Sequence, residues 1–203
     1  MSVDRAPTLN PIRKLLHWLI AIMVIAMIPA GLIFTDFDNK PVIESLFGEG
    51  AFDRFYNLHK AIGFTILGLM ALRVLAMLFW PAPDHQPRLA GPVRVVSKFT
   101  HGAFYALLIV TPILGWMGVS AFPAPLPWFG IVEMPPIAPQ DKELSRFMLD
   151  LHGFAAFAIA GLVLIHVAAG IWHRSVRRDT VFARIGFGGA PAQPPAAEET
   201  PAE

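Results

Sequence analysis

Four long apolar stretches, at residues 15–34, 59–80, 101–122 and 151–173, dominate the chain, and polar residues gather between them. Each reaches the roughly 20 residues an α-helix needs to cross a bilayer. None has an Asp or Glu strictly inside it. Trp18, Trp80 and Trp172 fall at or near the ends of three stretches, the positions of interfacial anchors. Pro29 and Pro112 lie within stretches, which membrane-buried helices tolerate. The pattern predicts an all-α integral membrane protein, a bundle of four helices.

Arg13 and Lys14 precede the first stretch, as in a signal peptide. Its apolar run is longer than the roughly 7–15 residues of such a segment and no Ala-x-Ala site follows, so it reads as a span. Basic residues then set the orientation. Arg5, Arg13, Lys14, Arg88, Arg94, Lys98, Arg174, Arg177, Arg178 and Arg184 fall on one side. Lys40, Arg54, Lys60, Lys142 and Arg146 fall on the other, among many acids such as Asp36, Asp38, Glu44, Glu49, Asp53 and Glu133. Both N- and C-termini are therefore expected in the cytoplasm. The chain divides into a membrane domain over residues 1–185 and a tail over 186–203, rich in Pro, Ala and Gly, that is expected to be disordered.

Composition narrows the chemistry. Of 203 residues 55% are hydrophobic and 15% charged, against about 45–50% and about 25% in soluble domains, so membrane lipid is the expected surround. Lys and Arg number 16 and Asp and Glu 15, which lacks the basic excess of a nucleic-acid binder. The absence of cysteine excludes disulfides, thiolate metal sites, iron–sulfur clusters and covalently attached c-type haem. Seven histidines remain to be explained.

Ionisable groups inside spans are costly and mark function. His152 and His166 share the fourth stretch, 14 residues apart. That interval places them about 21 Å apart along a helix and only about 40° apart around it. The second and fourth stretches run in the same direction, so His59 meets His152 at the outer face. His17 and His166 face each other at the inner side. Two bis-histidine b-type haems, stacked across the membrane, follow from these depths. Helix-end histidines facing headgroups are the plain alternative. A zinc or copper site is another, but each level supplies only two histidines and no carboxylate. His101 competes with His17 for the inner haem, or contacts a propionate or quinone. His173, at the water boundary, reads as a propionate or headgroup contact, and His85 as a solvated loop residue. Arg73 lies 14 residues after His59 and so near the depth of His166. It either pairs with a haem propionate or snorkels to the interface. Lys60 stands in the same relation to the outer haem.

On particular motifs the chain resembles the bacterial cytochrome b561 family, small di-haem four-helix cytochromes of the inner membrane. The resemblance covers roughly residues 9–185. It rests on His17-Trp18, on Leu58-His59-Lys60-Ala61-Ile62-Gly63 followed by Arg73, and on His101-Gly102-Ala103-Phe104-Tyr105 through Pro112-Ile113-Leu114-Gly115. It continues in Pro127-Trp128-Phe129-Gly130, Met134-Pro135, Leu151-His152-Gly153 and His166-Val167-Ala168-Ala169. The resemblance implies haem ligation by His17, His59, His152 and His166, and electron exchange with the quinone pool, with ubiquinone as acceptor or donor. For some members it implies superoxide oxidation at the outer face. The outer loops here are acidic on balance and do not by themselves attract that anion; Arg54, Lys60, Lys142 or Arg146 would have to form a local positive site. Alternatives are a haem-carrying membrane subunit of a separate dehydrogenase or hydrogenase, a carrier for a periplasmic redox protein, and a haem-free transporter or scaffold.

Overall fold

The computed structural model describes residues 8–83 and 91–186. Arg5, His85, Arg88 and the expected tail from residue 187 onward lie outside the described residues. Four long helices form the bundle: α1 (Pro11–Phe34), α3 (Ala51–Phe79), α4 (Gly91–Ser120) and α5 (Lys142–Trp172). A short helix, α2 (Lys40–Phe47), joins α1 to α3. A two-stranded antiparallel hairpin, β1 (Pro127–Trp128) and β2 (Val132–Glu133), lies between α4 and α5. Neither α2 nor the hairpin is foreseen in the hydropathy pattern, because both are too short and too mixed in polarity to register there.

Every long helix begins before the apolar stretch that predicts it, and side-chain caps close the starts of α1 and α5. Asn10 caps α1 by accepting from the Ile12 amide at 2.9 Å, with Pro11 at the first helical position. Asp141 caps α5, accepting from the amides of Glu143 at 2.8 Å and Leu144 at 3.0 Å. At its far end α5 continues through a wider turn over His173–Arg177, closed by Arg178 at a left-handed φ of 52°.

Helix α1 packs on α3, α3 on α4, and α4 on α5, while α1 and α5 approach each other more sparsely. The central core joins Ile20 and Val24 of α1, Ile66 and Met70 of α3 and Ile159 of α5, flanked by Tyr105 and Leu108 of α4. Ile159 is seven residues from both His152 and His166, so this apolar plug separates the two histidine depths. Only 11–22% of the residues in each apolar span window are buried, leaving Ile22, Leu32, Leu78, Phe154 and Leu164 among the outward-facing side chains. Such a belt is stable only against lipid.

The two ends of the bundle differ. At one, α2 lays Ile43 against Ala51 and Phe52, and Phe34 stacks on Phe55 with ring centres 4.3 Å apart. At the other, the segment after α5 folds back along α1. Leu9 N–H donates to the Arg184 carbonyl at 3.2 Å, Lys14 Nζ to that of Gly186 at 2.7 Å, and Trp18 Nε1 to that of Ile185 at 3.0 Å. Arg13 donates to the Trp80 carbonyl at 2.8 Å, and Arg184 to that of Pro83. Both ends of the described chain thus lie on the basic side.

The α4–α5 seam is the tightest. Ser145 Oγ donates to the Gly118 carbonyl at 2.8 Å, and a Cβ at Gly118 would sit 2.7 Å from Leu149 Cδ2 and 3.3 Å from its backbone nitrogen. Gly118→Ala is expected to destabilise the bundle by about 1–3 kcal/mol, the usual cost of overpacking. A lowered unfolding midpoint in detergent checks it; an unchanged midpoint would contradict the seam as described.

Candidate cofactor site

Helix α5 presents one histidine to each of two levels. At the acidic end His152 faces His59 of α3, ring centres 6.1 Å apart. Toward the basic end His166 faces His17 of α1, ring centres 6.3 Å apart. Two imidazoles bonded at about 2 Å to opposite sides of one metal place their ring centres roughly 6 Å apart. Both pairs have that spacing.

Hydrogen bonding prepares the His59–His152 pair for a metal. His152 Nδ1 lies 2.8 Å from the Thr111 carbonyl. A carbonyl only accepts, so Nδ1 carries the proton and the lone pair of Nε2 is left free. His59 makes no hydrogen bond among the described residues, and its Nδ1 is buried without a partner. The acidic-end level offers two imidazoles, the number a haem would take and fewer than tetrahedral zinc needs; at the other level His101 stands as a third ring beside His166, and among the described residues no three His, Cys, Asp or Glu are placed to hold one metal ion.

The space beside these rings fits a flat ligand. A cavity of about 500 Å³ adjoins His59 and His152, within the roughly 300–1,000 Å³ usual for cofactor sites. Gly63, one turn after His59, and Gly153, next to His152, line it, and a Cβ on either would meet no heavy atom within 4 Å. Two other glycines make room for the imidazoles themselves. A Cβ at Gly115 would lie 3.0 Å from His152 Nδ1, and one at Gly31 would lie 3.3 Å from His59 Cε1. Gly115→Ala is therefore expected to lower cofactor occupancy at this level more than Gly31→Ala does, read as haem per chain after purification. Full occupancy in Gly115→Ala would contradict the packing argument.

The remaining sequence-selected residues divide. Arg73 reaches the His17–His166 pair: its Nη2 lies 3.3 Å from His17 Nδ1, its Nε donates to Tyr105 Oη at 2.9 Å, and its Nη1 is buried without a partner among the described residues. Its guanidinium is part-buried among these groups. His101 packs edge-on against His166 with ring centres 5.6 Å apart. Its Nδ1 points instead at the Ser97 carbonyl, 2.6 Å away on its own helix. Lys60 turns to the rim at the acidic end, donating to the Pro125 carbonyl at 2.7 Å and lying 4.9 Å from the Tyr56 ring centre. His173 differs from expectation. It is buried, its Nδ1 2.6 Å from Asp179 Oδ2, because the chain after α5 folds back over it. Tyr105 and the Thr111 carbonyl are the contributors that sequence reasoning missed. Tyr105, four residues after His101, carried a signal; a backbone carbonyl carries none.

Four membrane-crossing helices that converge paired imidazoles on an apolar interior define a membrane-bound b-type cytochrome of electron transfer. The sequence profile of the prokaryotic cytochrome b561 family matches residues 9–188. The chain belongs to that family, and is a multi-pass protein of the bacterial inner membrane. It is 25% identical over 169 residues to cytochrome b561 homolog 2 of Escherichia coli (strain K12), covering 83% of this chain and 86% of that relative. It is also 25% identical over 128 residues to the probable superoxide oxidase CybB of Yersinia pestis, covering 63% of this chain and 72% of that one.

Proposed function

We propose that the chain holds two haems b, one between His59 and His152 and one between His17 and His166, and carries electrons between a one-electron donor outside the membrane and ubiquinone. The observation that supports this most is the pair of imidazole spacings, 6.1 and 6.3 Å, contributed by one helix to two levels. When bound, haem supplies a one-electron Fe(III)/Fe(II) couple at each level. The chain's own residues do the rest. The paired imidazoles would hold the group at each level, His59 with His152 and His17 with His166. The plug around Ile20, Val24, Ile66, Met70 and Ile159 keeps water out between the levels. Arg73 Nη1 is available to a propionate at the inner level, and Lys60 is placed at the outer rim to meet one there. His101 neighbours the inner pair as a contact for a propionate or quinone.

The basic end, with Arg13, Lys14, Arg94, Lys98, Arg174 and Arg177, faces the cytoplasm in this reading, and the acidic end faces outward. Single cysteines placed in this cysteine-free chain test that. Ser175→Cys is expected to resist an impermeant maleimide in intact spheroplasts and Ser45→Cys to react; the reverse pattern would invert the topology.

The name of the Yersinia relative makes superoxide the donor of first choice. Two superoxide ions, each oxidised to dioxygen, supply the two electrons that reduce one ubiquinone, with two protons taken up. Ubiquinol formation in proteoliposomes, driven by superoxide generated outside, is the assay. No ubiquinol above the protein-free rate would overturn superoxide as donor. The acidic residues Asp36, Asp38, Glu49 and Asp53, exposed at the outer end, favour as second reading a periplasmic redox protein with a basic face. Donation from such a partner is expected to weaken with rising salt.

A further inference from the structure

We propose that Arg73, anchored by Tyr105, makes the His17–His166 level the more readily reduced of the two, so that electrons entering at the His59–His152 level settle there. The inference rests on the two-haem reading above.

The two levels differ in what faces the ring nitrogen turned away from the metal. At the inner level it is a cation. Arg73 Nη2 lies 3.3 Å from His17 Nδ1, and its Nε bond of 2.9 Å to Tyr105 Oη holds the guanidinium in place. The guanidinium carbon also lies 5.7 Å from the Tyr105 ring centre. A guanidinium is permanently charged and only donates. With His17 holding iron through Nε2, Nδ1 would keep its proton and take no hydrogen bond from the guanidinium, so the effect is one of charge: a cation beside the ring disfavours the additional positive charge of the ferric state. This favours reduction, and inside the span water does little to screen it.

At the outer level the corresponding contact is a neutral acceptor. The Thr111 carbonyl, 2.8 Å from His152 Nδ1, takes a hydrogen bond from the ring, which raises the basicity of the ligand and favours the ferric state. His59 Nδ1 has no partner to oppose this. Lys60 is the cation next in sequence to this level, but its ammonium is held at the exposed rim by the Pro125 carbonyl, where water and salt screen it.

The buried Nη1 of Arg73 leaves the sign unchanged. If it meets a propionate, removing the guanidinium leaves that anion uncompensated beside the iron, which again favours the ferric state. The two levels would then hold one-electron couples of different potential, the electron being favoured at the level beside Arg73, with no bond broken and no proton moved.

Optical potentiometric titration of the purified holoprotein tests this, with haem counted in each sample and the levels assigned in a His59→Ala background. The higher-potential wave is expected to be the inner one. Arg73→Gln should shift it downward and leave the lower wave in place, while Arg73→Lys keeps most of the wild-type value. Should Arg73→Gln lose the inner haem, Tyr105→Phe, which keeps the cation but releases its anchor, should move the same wave downward by less. The proposal is overturned if the inner level gives the lower wave, or if these variants retain two haems and leave the higher wave unmoved. Fewer than two haems in the wild-type chain overturns the two-haem reading itself, and this inference with it.

Discussion

His59→Ala and His152→Ala should each purify with one haem per chain instead of two, and His17→Ala and His166→Ala should do the same from the other level. The expected loss is all-or-none at one level, because in this reading each haem would be held by two imidazoles only, both carried on the long helices. Among the described residues lining this cavity, His59 and His152 are the only histidines, so no third imidazole can stand in for either ring. The inner level differs in having His101 near, with its ring centre 5.6 Å from that of His166. His101 is exposed with its ring centre closer to His166 than a shared metal allows, whereas His17 is half-buried with its ring centre 6.3 Å from that of His166. His101→Ala is therefore expected to keep both haems. Pyridine haemochrome counts on the variants check the set. Loss of the inner haem from His101→Ala, with His17→Ala unaffected, would reassign the inner ligand.

The second large effect is on vectorial transfer. In proteoliposomes containing ubiquinone, His59→Ala is expected to abolish ubiquinol formation from an outside one-electron donor, although its inner haem remains and is still reducible by dithionite. The reason is distance. His152 and His166 are 14 residues apart on one helix, about 21 Å, with the apolar plug around Ile159 between them. Removing the outer level leaves an outside donor facing that whole thickness. A variant that lost its outer haem yet kept wild-type ubiquinol formation would show that the levels do not act in series.

Much of this arrangement is legible in the sequence. The four spans stand out because acids are absent from long apolar runs, and the two levels stand out because 14 residues is close to a whole number of helical turns. What escapes is what depends on contacts between distant segments or on the backbone. Helix α2 carries a single buried residue, Ile43, and its role as a cap appears only once Phe52 and Phe34 are brought to it. The His173–Asp179 bond needs the left-handed turn at Arg178, a conformation that arginine does not announce. The Thr111 carbonyl that sets the His152 tautomer is a property of where α4 passes α5, not of threonine. Arg73 is visible as an anomaly inside a span, but its bond to Tyr105 joins α3 to α4 and follows only from their packing.

The central claim is that one chain binds two b-type haems between paired histidines. A dithionite-reduced minus oxidised visible spectrum of the detergent-purified protein, expressed with adequate haem supply and combined with pyridine haemochrome quantitation, tests it most directly. Sharp six-coordinate b-type bands at two haems per chain are the predicted result. A high-spin spectrum, or a single haem in the wild-type protein, would contradict it.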